Sequence, residues 1–186
     1  MIVSVEGPIG AGKSTLVEKL AAAGYRVFSE PVEAWTLLEN FADDPKKHAL
    51  GFQIEILISY FSLKKAIDAS KDELVVIERS PWSSNKVFFD MYIDDPCAKK
   101  IYLDLYATYA FEPDHILYLD VDEETSWRRV VARDRPQERG YEKAHVESVV
   151  ARYRAAIEQT TIPVLALSDC ETFVADADAF LRRLRS

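Results

Sequence analysis

The chain has 186 residues, 48% hydrophobic and 29% charged, which suits one globular domain with a core of ordinary size. Its 23 basic against 31 acidic residues leave a formal charge of −8, and a surface that acidic repels DNA and RNA, excluding polymeric nucleic acid as a partner. No run is apolar for long enough to span a bilayer, no basic leader opens the chain, and Cys97 and Cys170 form no CxxC or Cys/His pattern. The expectation is a mature chain in a reducing compartment, cytoplasmic or mitochondrial, with no membrane partner.

Short apolar runs alternate with longer helical patterns from end to end. Strands are predicted at 2–6, 25–29, 73–77, 115–121 and 163–167, and helices near 13–22, 45–70, 82–94, 97–110, 123–135, 141–159 and 175–185. Alternating βα units imply an α/β fold, a five-stranded parallel sheet with helices on both faces. No repeat, low-complexity tract or linker divides residues 1–186, which are expected to form a single domain.

The first strand runs into Gly7-Pro8-Ile9-Gly10-Ala11-Gly12-Lys13-Ser14-Thr15, which fits the phosphate-loop pattern G-x-x-x-x-G-K-[ST] over 7–15. Glycines let the backbone wrap closely around phosphate oxygens, so that successive N–H groups point inward. Lys13 would supply charge to the β- and γ-phosphates, the Ser14 hydroxyl would reach Mg²⁺, and the next helix would point its positive end at the anion. The motif lies between a good strand and a good helix, as this mechanism demands. ATP is the expected ligand.

In an open parallel sheet, ligands sit outside the carboxyl ends of the strands. The second strand is followed by Glu30-Pro31-Val32-Glu33-Ala34-Trp35, and the third by Glu78-Arg79-Ser80. A carboxylate ending an apolar strand, as Glu78 does, suits the neighbourhood of a nucleotide's Mg²⁺. A hydroxyl acceptor must lose its proton as it attacks phosphorus; Glu30 can accept that proton, and Arg79 can hold Glu30 in register. Asp43-Asp44 reads as a turn before Pro45.

Residues 52–67 and 101–111 are apolar on nearly every side, which predicts helices buried twice over, with one side lining a ligand pocket or a subunit interface. Further on, Arg128, Arg129, Arg133, Arg135 and Arg139 crowd into a short stretch of an acidic chain, a pattern for a small anionic ligand. These arginines suit the cancelling of charge on a transferring phosphoryl group. His48, His115 and His145 stand isolated, without a metal-ligand pattern.

Taken together, the GPIGAGKST loop, Glu30-Pro-Val-Glu-Ala-Trp35, the segment from Asp44 to Gln53, Glu78-Arg-Ser80, and Arg129-x₃-Arg133-x-Arg135 followed by Glu138 resemble the deoxynucleoside kinase family, which includes insect and mitochondrial enzymes, deoxycytidine kinase and bacterial relatives. The resemblance covers nearly the whole chain and implies a P-loop kinase fold with an Arg-rich lid over about 128–140. It implies Mg·ATP-dependent phosphorylation of a deoxynucleoside 5′-hydroxyl in nucleotide salvage, with Glu30 as general base and Arg79 as its partner. Ser14 and Glu78 would organise Mg²⁺; Arg129, Arg133 and Arg135 would act at the ATP phosphates. Gln53 would pair with the base edge, Trp35, Phe52 and Phe88 would wall the base, Phe41, Tyr60 and Ser84 would also belong to the substrate site, and Glu138 would reach the sugar 3′-hydroxyl. The family also implies a homodimer through the two apolar helices, and inhibition by an end-product deoxynucleoside triphosphate.

Some positions depart from the family. Ala42 stands where a sugar-binding tyrosine is usual, and Tyr60 and Ser84 replace the arginine and aspartate that clamp the base in the deoxycytidine and deoxyguanosine enzymes. By that resemblance a pyrimidine, thymidine or deoxycytidine, is the expected acceptor. Two alternatives remain. A monophosphate kinase of the thymidylate kinase type would need basic acceptor residues where Glu30 stands. A GTPase-like switch would need a guanine-reading Asn-Lys-x-Asp, and Asn85-Lys86-Val87-Phe88 lacks the Asp.

Overall fold

The computed structural model describes residues 1–70, 72–168 and 170–185. Strands β1 (Ile2–Glu6), β2 (Arg26–Phe28), β3 (Val75–Glu78), β4 (His115–Leu119) and β5 (Val164–Leu167) form one parallel sheet in the order β2-β3-β1-β4-β5. The helices are α1 (Lys13–Ala22), α2 (Leu38–Asp43), α3 (Pro45–Ala69), α4 (Pro81–Ser83), α5 (Asp90–Tyr92), α6 (Pro96–Tyr109), α7 (Glu123–Arg133), α8 (Lys143–Gln159) and α9 (Phe173–Arg185). A π-helical stretch, Ser84–Phe89, joins α4 to α5.

Alternation along the strands sends side chains to two cores. Val3, Val5, Val76, Leu117 and Leu119 face α1 and α9, meeting Leu16, Val17, Leu20, Phe173, Ala177 and Leu181. On the opposite face Ile2, Val75 and Ile77 meet Ile67 of α3, and Ile116 and Tyr118 meet Trp82, Val149 and Tyr153. A parallel sheet covered on both faces needs strands that are buried throughout, and every residue of β1 and β3 is buried. A further apolar cluster, with Phe41, Phe52, Ile56, Tyr60, Phe89 and Tyr102, gathers α2, α3 and α6 beside the sheet.

The helix starts have local causes. Asp44 and Asp95 each precede a proline, and their carboxylates accept from Lys47 N at 3.2 Å and Ala98 N at 2.7 Å. Asp122 caps α7 the same way, accepting from Thr125 N at 2.7 Å. The stretch read as a turn at Asp43-Asp44 is therefore a junction: Asp43 ends the short α2, and Asp44 caps α3.

The helix expected near 82–94 is not uniform. Its π-helical centre sets Ser84 and Phe88 on the large cavity described below, while Val87 and Phe89 are buried in two separate cores. Helix α3 divides its apolar surface as expected: Phe52, Gln53, Ile56 and Tyr60 face that cavity, and Leu57 is buried. It packs on α6, and the two leave Ile58, Ile101 and Leu103 exposed (40%, 44% and 46%). No described helix is long and apolar enough to cross a membrane.

Candidate active site

Because β2, β3 and β1 are neighbours, with Phe28 opposite Ile77 and Val5 opposite Glu78, their carboxyl ends open side by side. A cavity of about 1120 Å³ lies there, larger than one small ligand needs. Residues 9–15 form its floor, and Glu30, Trp35, Phe41, Phe52, Gln53, Tyr60, Glu78, Arg79, Ser84, Phe88, Arg129, Arg133, Arg135 and Glu138 all line it. Gly7 and Pro8, expected at the phosphates, do not line it; their carbonyl oxygens accept from Lys13 Nζ at 3.0 and 2.8 Å. Arg128 is exposed and off the cavity, and Arg139 is turned to Asp134, which splits the arginine cluster.

The loop conformation demands its glycines. Gly10 sits at φ 79°, and a Cβ there would lie 2.6 Å from the Ser126 carbonyl oxygen of α7. Gly12, at φ 99°, caps α1 from the left-handed region. Arg129 braces the loop from α7, donating to the carbonyl oxygens of Gly10 at 3.4 Å and Ala11 at 3.2 Å. Burial, helped by the charge of Arg79, lowers the Lys13 amine pKa to about 7, against the pull of Glu30, Glu78 and Glu6.

Above the loop, Ser14 Oγ donates to Glu78 Oε1 at 2.6 Å. Arg79 follows β3 at φ 56° and donates to Glu30, with its guanidinium carbon 5.2 Å from the centre of the Phe88 ring. Burial opposes the Arg79 charge, but Glu30, Tyr153, Tyr60 and Glu6 outweigh it and hold the guanidinium pKa above its usual value. The apolar end is framed by Phe41 stacked on Phe52 at 4.7 Å, with Trp35 edge-on to Phe52 at 5.6 Å. Trp35 is held by its Nε1–H to Ser59 at 3.0 Å, and Glu55 anchors the backbone of Thr36 and Leu37. Within this apolar wall, the Gln53 Oε1 accepts from Ser84 Oγ at 2.7 Å. Tyr60 turns its hydroxyl away, to the Glu78 carbonyl oxygen at 3.1 Å.

At the mouth, α7 ends at Asp134, φ 42°, and Arg133 makes a two-pronged pair with Glu138. Two residues expected to grip different substrates thus hold each other. Arg135 lines the cavity; its carbonyl oxygen accepts from Glu138 N at 2.9 Å, while its guanidinium has no ion pair among the described residues.

Sequence reasoning missed a buried layer beneath Arg79. Glu6, wholly buried at the end of β1, accepts from Ser80 Oγ at 2.8 Å and from the Tyr153 hydroxyl at 3.3 Å. Burial pushes its carboxyl pKa up to about 7, against the hydrogen bonds of Ser80 and Ser83 and the charges of Arg79 and Lys13. An acid closing an apolar strand before the loop was the available signal; Tyr153 lies far away in sequence. Tyr92 and Tyr141 also line the cavity and flank His145, with Tyr92 Oη 3.3 Å from its Nε2.

A family model described as deoxynucleoside kinase matches residues 3–183. The chain belongs to the deoxynucleoside kinase family. This kinase is 31% identical to the kinase protein 143R of Invertebrate iridescent virus 6 over 181 residues, covering 95% of this chain and 92% of that protein. It is 30% identical to a deoxyguanosine kinase of Bacillus subtilis over 166 residues, covering 84% and 78% of the two chains. Its fold matches that of a deoxyadenosine kinase from M. mycoides, solved with dCMP and dCDP bound, at a TM-score of 0.85 and 25% identity over 98% of this chain and 100% of that one. As a member of this family it is a phosphotransferase that uses ATP to phosphorylate deoxynucleosides. Its relatives' names differ in the base, so membership sets the reaction and leaves the base to the pocket.

Proposed function

We propose that the enzyme transfers the γ-phosphoryl group of Mg·ATP to the 5′-hydroxyl of a pyrimidine deoxynucleoside, with Glu30 as the general base. The observation that carries this reading is the Arg79–Glu30 pair, at 3.1 Å, on the same cavity as Lys13 and Ser14. Arg79 aims the Glu30 carboxylate, Glu30 takes the 5′-proton, and the phosphate-loop N–H groups with Lys13 hold the donor. Arg133 and Arg135 meet the charge on the transferring group.

The donor set at the loop fits Mg²⁺: Ser14 and Glu78 offer a hydroxyl and a carboxylate, hard oxygens that would hold the ion beside the phosphates. Bound there, Mg²⁺ would neutralise phosphate-oxygen charge. Two protein oxygens would leave the rest of the ion's ligands to the nucleotide and water.

A pyrimidine is favoured by an apolar slot closed by Tyr60, Phe41 and Phe52, with Gln53 as the buried group able to read a base edge. Glu138 is the sugar-reaching residue in this reading. The acidic acceptor end, with Glu30 and Glu138, counts against a monophosphate acceptor of the thymidylate kinase kind. A deoxynucleoside triphosphate could lie across both subsites and act as an end-product inhibitor. The exposed Ile58, Ile101 and Leu103 of the packed α3 and α6 support a homodimer through that face. The whole chain is read as one kinase domain, with 128–140 as a lid.

The test is an assay of the purified enzyme with the four deoxynucleosides and with thymidine monophosphate as a rival acceptor. Pyrimidine nucleosides should be the best acceptors; preferential use of the monophosphate would overturn the reading.

A further inference from the structure

Behind the base-reading amide lies a hydroxyl chain that no expectation from sequence included. Gln53 is nearly wholly buried, and its Oε1 accepts from Ser84 Oγ at 2.7 Å. Ser84 Oγ in turn lies 3.1 Å from the hydroxyl of Tyr102, a fully buried residue of α6 whose ring stacks on Phe89 at 4.4 Å and does not line the cavity.

Each hydroxyl in this chain has one proton to give. Among the described residues Ser84 is the one hydrogen-bond partner of the Tyr102 hydroxyl. Burial, eased by the Ser84 hydrogen bond, holds the Tyr102 pKa up at about 12, so its proton stays in place near neutrality. A buried phenol that donates to nothing is costly, so Tyr102 donates to Ser84. Ser84 must then give its own proton onward, and the available acceptor is the Gln53 carbonyl oxygen. Turning the amide over would set N–H groups against a serine that already receives one proton and would strand the serine's own. The polarity therefore runs Tyr102 to Ser84 to Gln53 Oε1, leaving the Gln53 N–H groups, which meet no described protein partner, for the cavity.

Pyrimidines present this amide with two opposite patterns. A 4-keto base such as thymine offers an N3–H donor beside an oxygen acceptor; a 4-amino base such as cytosine offers an N3 acceptor beside N–H donors. An amide that can turn over serves both, whereas one held in a fixed sense serves one better. We propose that the Tyr102–Ser84 hydroxyl relay fixes the sense of the Gln53 amide and thereby sets the preference between 4-keto and 4-amino pyrimidine nucleosides. Tyr102 is a positioning residue, acting through Ser84. The proposal rests on the reading of Gln53 as the base contact.

The experiment measures kcat/KM for thymidine and for deoxycytidine with saturating Mg·ATP, in the wild type, in Tyr102→Phe and in Ser84→Ala. The wild type should prefer one base. Tyr102→Phe keeps the stacked ring and should move the ratio of the two values toward unity by roughly 3- to 10-fold, as expected for one neutral hydrogen bond, with kcat on the preferred base little changed. Ser84→Ala should shift the ratio in the same direction, which provides an independent reading if the phenylalanine variant fails to fold. A general loss of packing would lower both values together and leave their ratio alone. A pyrimidine-active wild type without preference, or an unchanged ratio in the folded variants, overturns the relay alone. A wild type inactive on both pyrimidines overturns the base assignment and the relay with it.

Discussion

Arg79 Nη1 lies 3.1 Å from Glu30 Oε1 and 3.3 Å from Oε2, so that a single guanidinium nitrogen holds both oxygens of the carboxylate. The left-handed backbone of Arg79, φ 56°, follows directly from the end of β3, while Glu30 comes from the loop after β2. Both side chains are largely shielded, 15% and 13% exposed, so the pair is held more firmly than a surface ion pair.

Glu30→Gln keeps the shape of this pair and removes the proposed proton acceptor. Steady-state kinetics should show kcat lowered by about 10²–10⁴-fold, with the KM for the deoxynucleoside changed far less. Near-normal turnover would remove Glu30 from the mechanism.

Gly10→Ala should damage the phosphate loop by two routes. The new methyl group would need a φ of 79° and would sit 2.6 Å from the Ser126 carbonyl oxygen, a backbone atom that cannot step aside without moving α7. A lower melting temperature together with a raised KM for ATP is the expected result. A wild-type KM for ATP would mean that the loop does not need this close approach.

The buried Glu6 predicts a pH dependence of stability with a definite sign. Its folded-state pKa of about 7 lies above the ordinary 4.5, so between those values the folded chain binds more protons than the unfolded one. Its contribution is fully present below 4.5 and is lost as pH rises through about 7. Glu6→Gln lacks this loss, so the variant's stability relative to wild type should increase across that window. Urea unfolding at several pH values measures it, and a difference constant with pH would contradict the assignment.

Arg133 and Glu138 predict a separation of stability from activity. Their side chains are 30% and 13% exposed, and removing a partly solvated pair should change stability by no more than about 1 kcal/mol. Arg133→Ala should nevertheless depress kcat strongly, whereas Glu138→Gln should mainly raise the KM for the deoxynucleoside. Equal and small effects of both changes on turnover would place the pair outside catalysis.

The sheet and the phosphate loop were legible in the sequence because their signals are local. Apolar strands and the glycine pattern each specify themselves within a few residues, whereas the Asp44 cap of α3 was read as a turn. The grouping of Glu30, Glu78 and Arg79 was legible for a related reason: a parallel sheet delivers successive strand ends to one edge, so position along the strand suffices. The π-helical stretch was not legible, since an extra residue in a turn leaves no mark in a short apolar pattern. Nor were the roles of Tyr102 and Tyr153, which look like ordinary helix aromatics until a distant serine or glutamate meets their hydroxyls. The Arg133–Glu138 pair was obscured because each residue, taken alone, already had a substrate to serve.

The contact between Gly10 and Ser126 has a mechanical meaning. The 11 residues of α7 span about 16 Å at the usual rise, with the Ser126 carbonyl close against Gly10, Arg129 hydrogen-bonded to the loop, and Arg133 at the far end. A side chain that pushes on the loop at Gly10 therefore pushes on the helix that carries Arg133. The loop proposed to hold the donor and the arginine proposed to cap it thus share one rigid support.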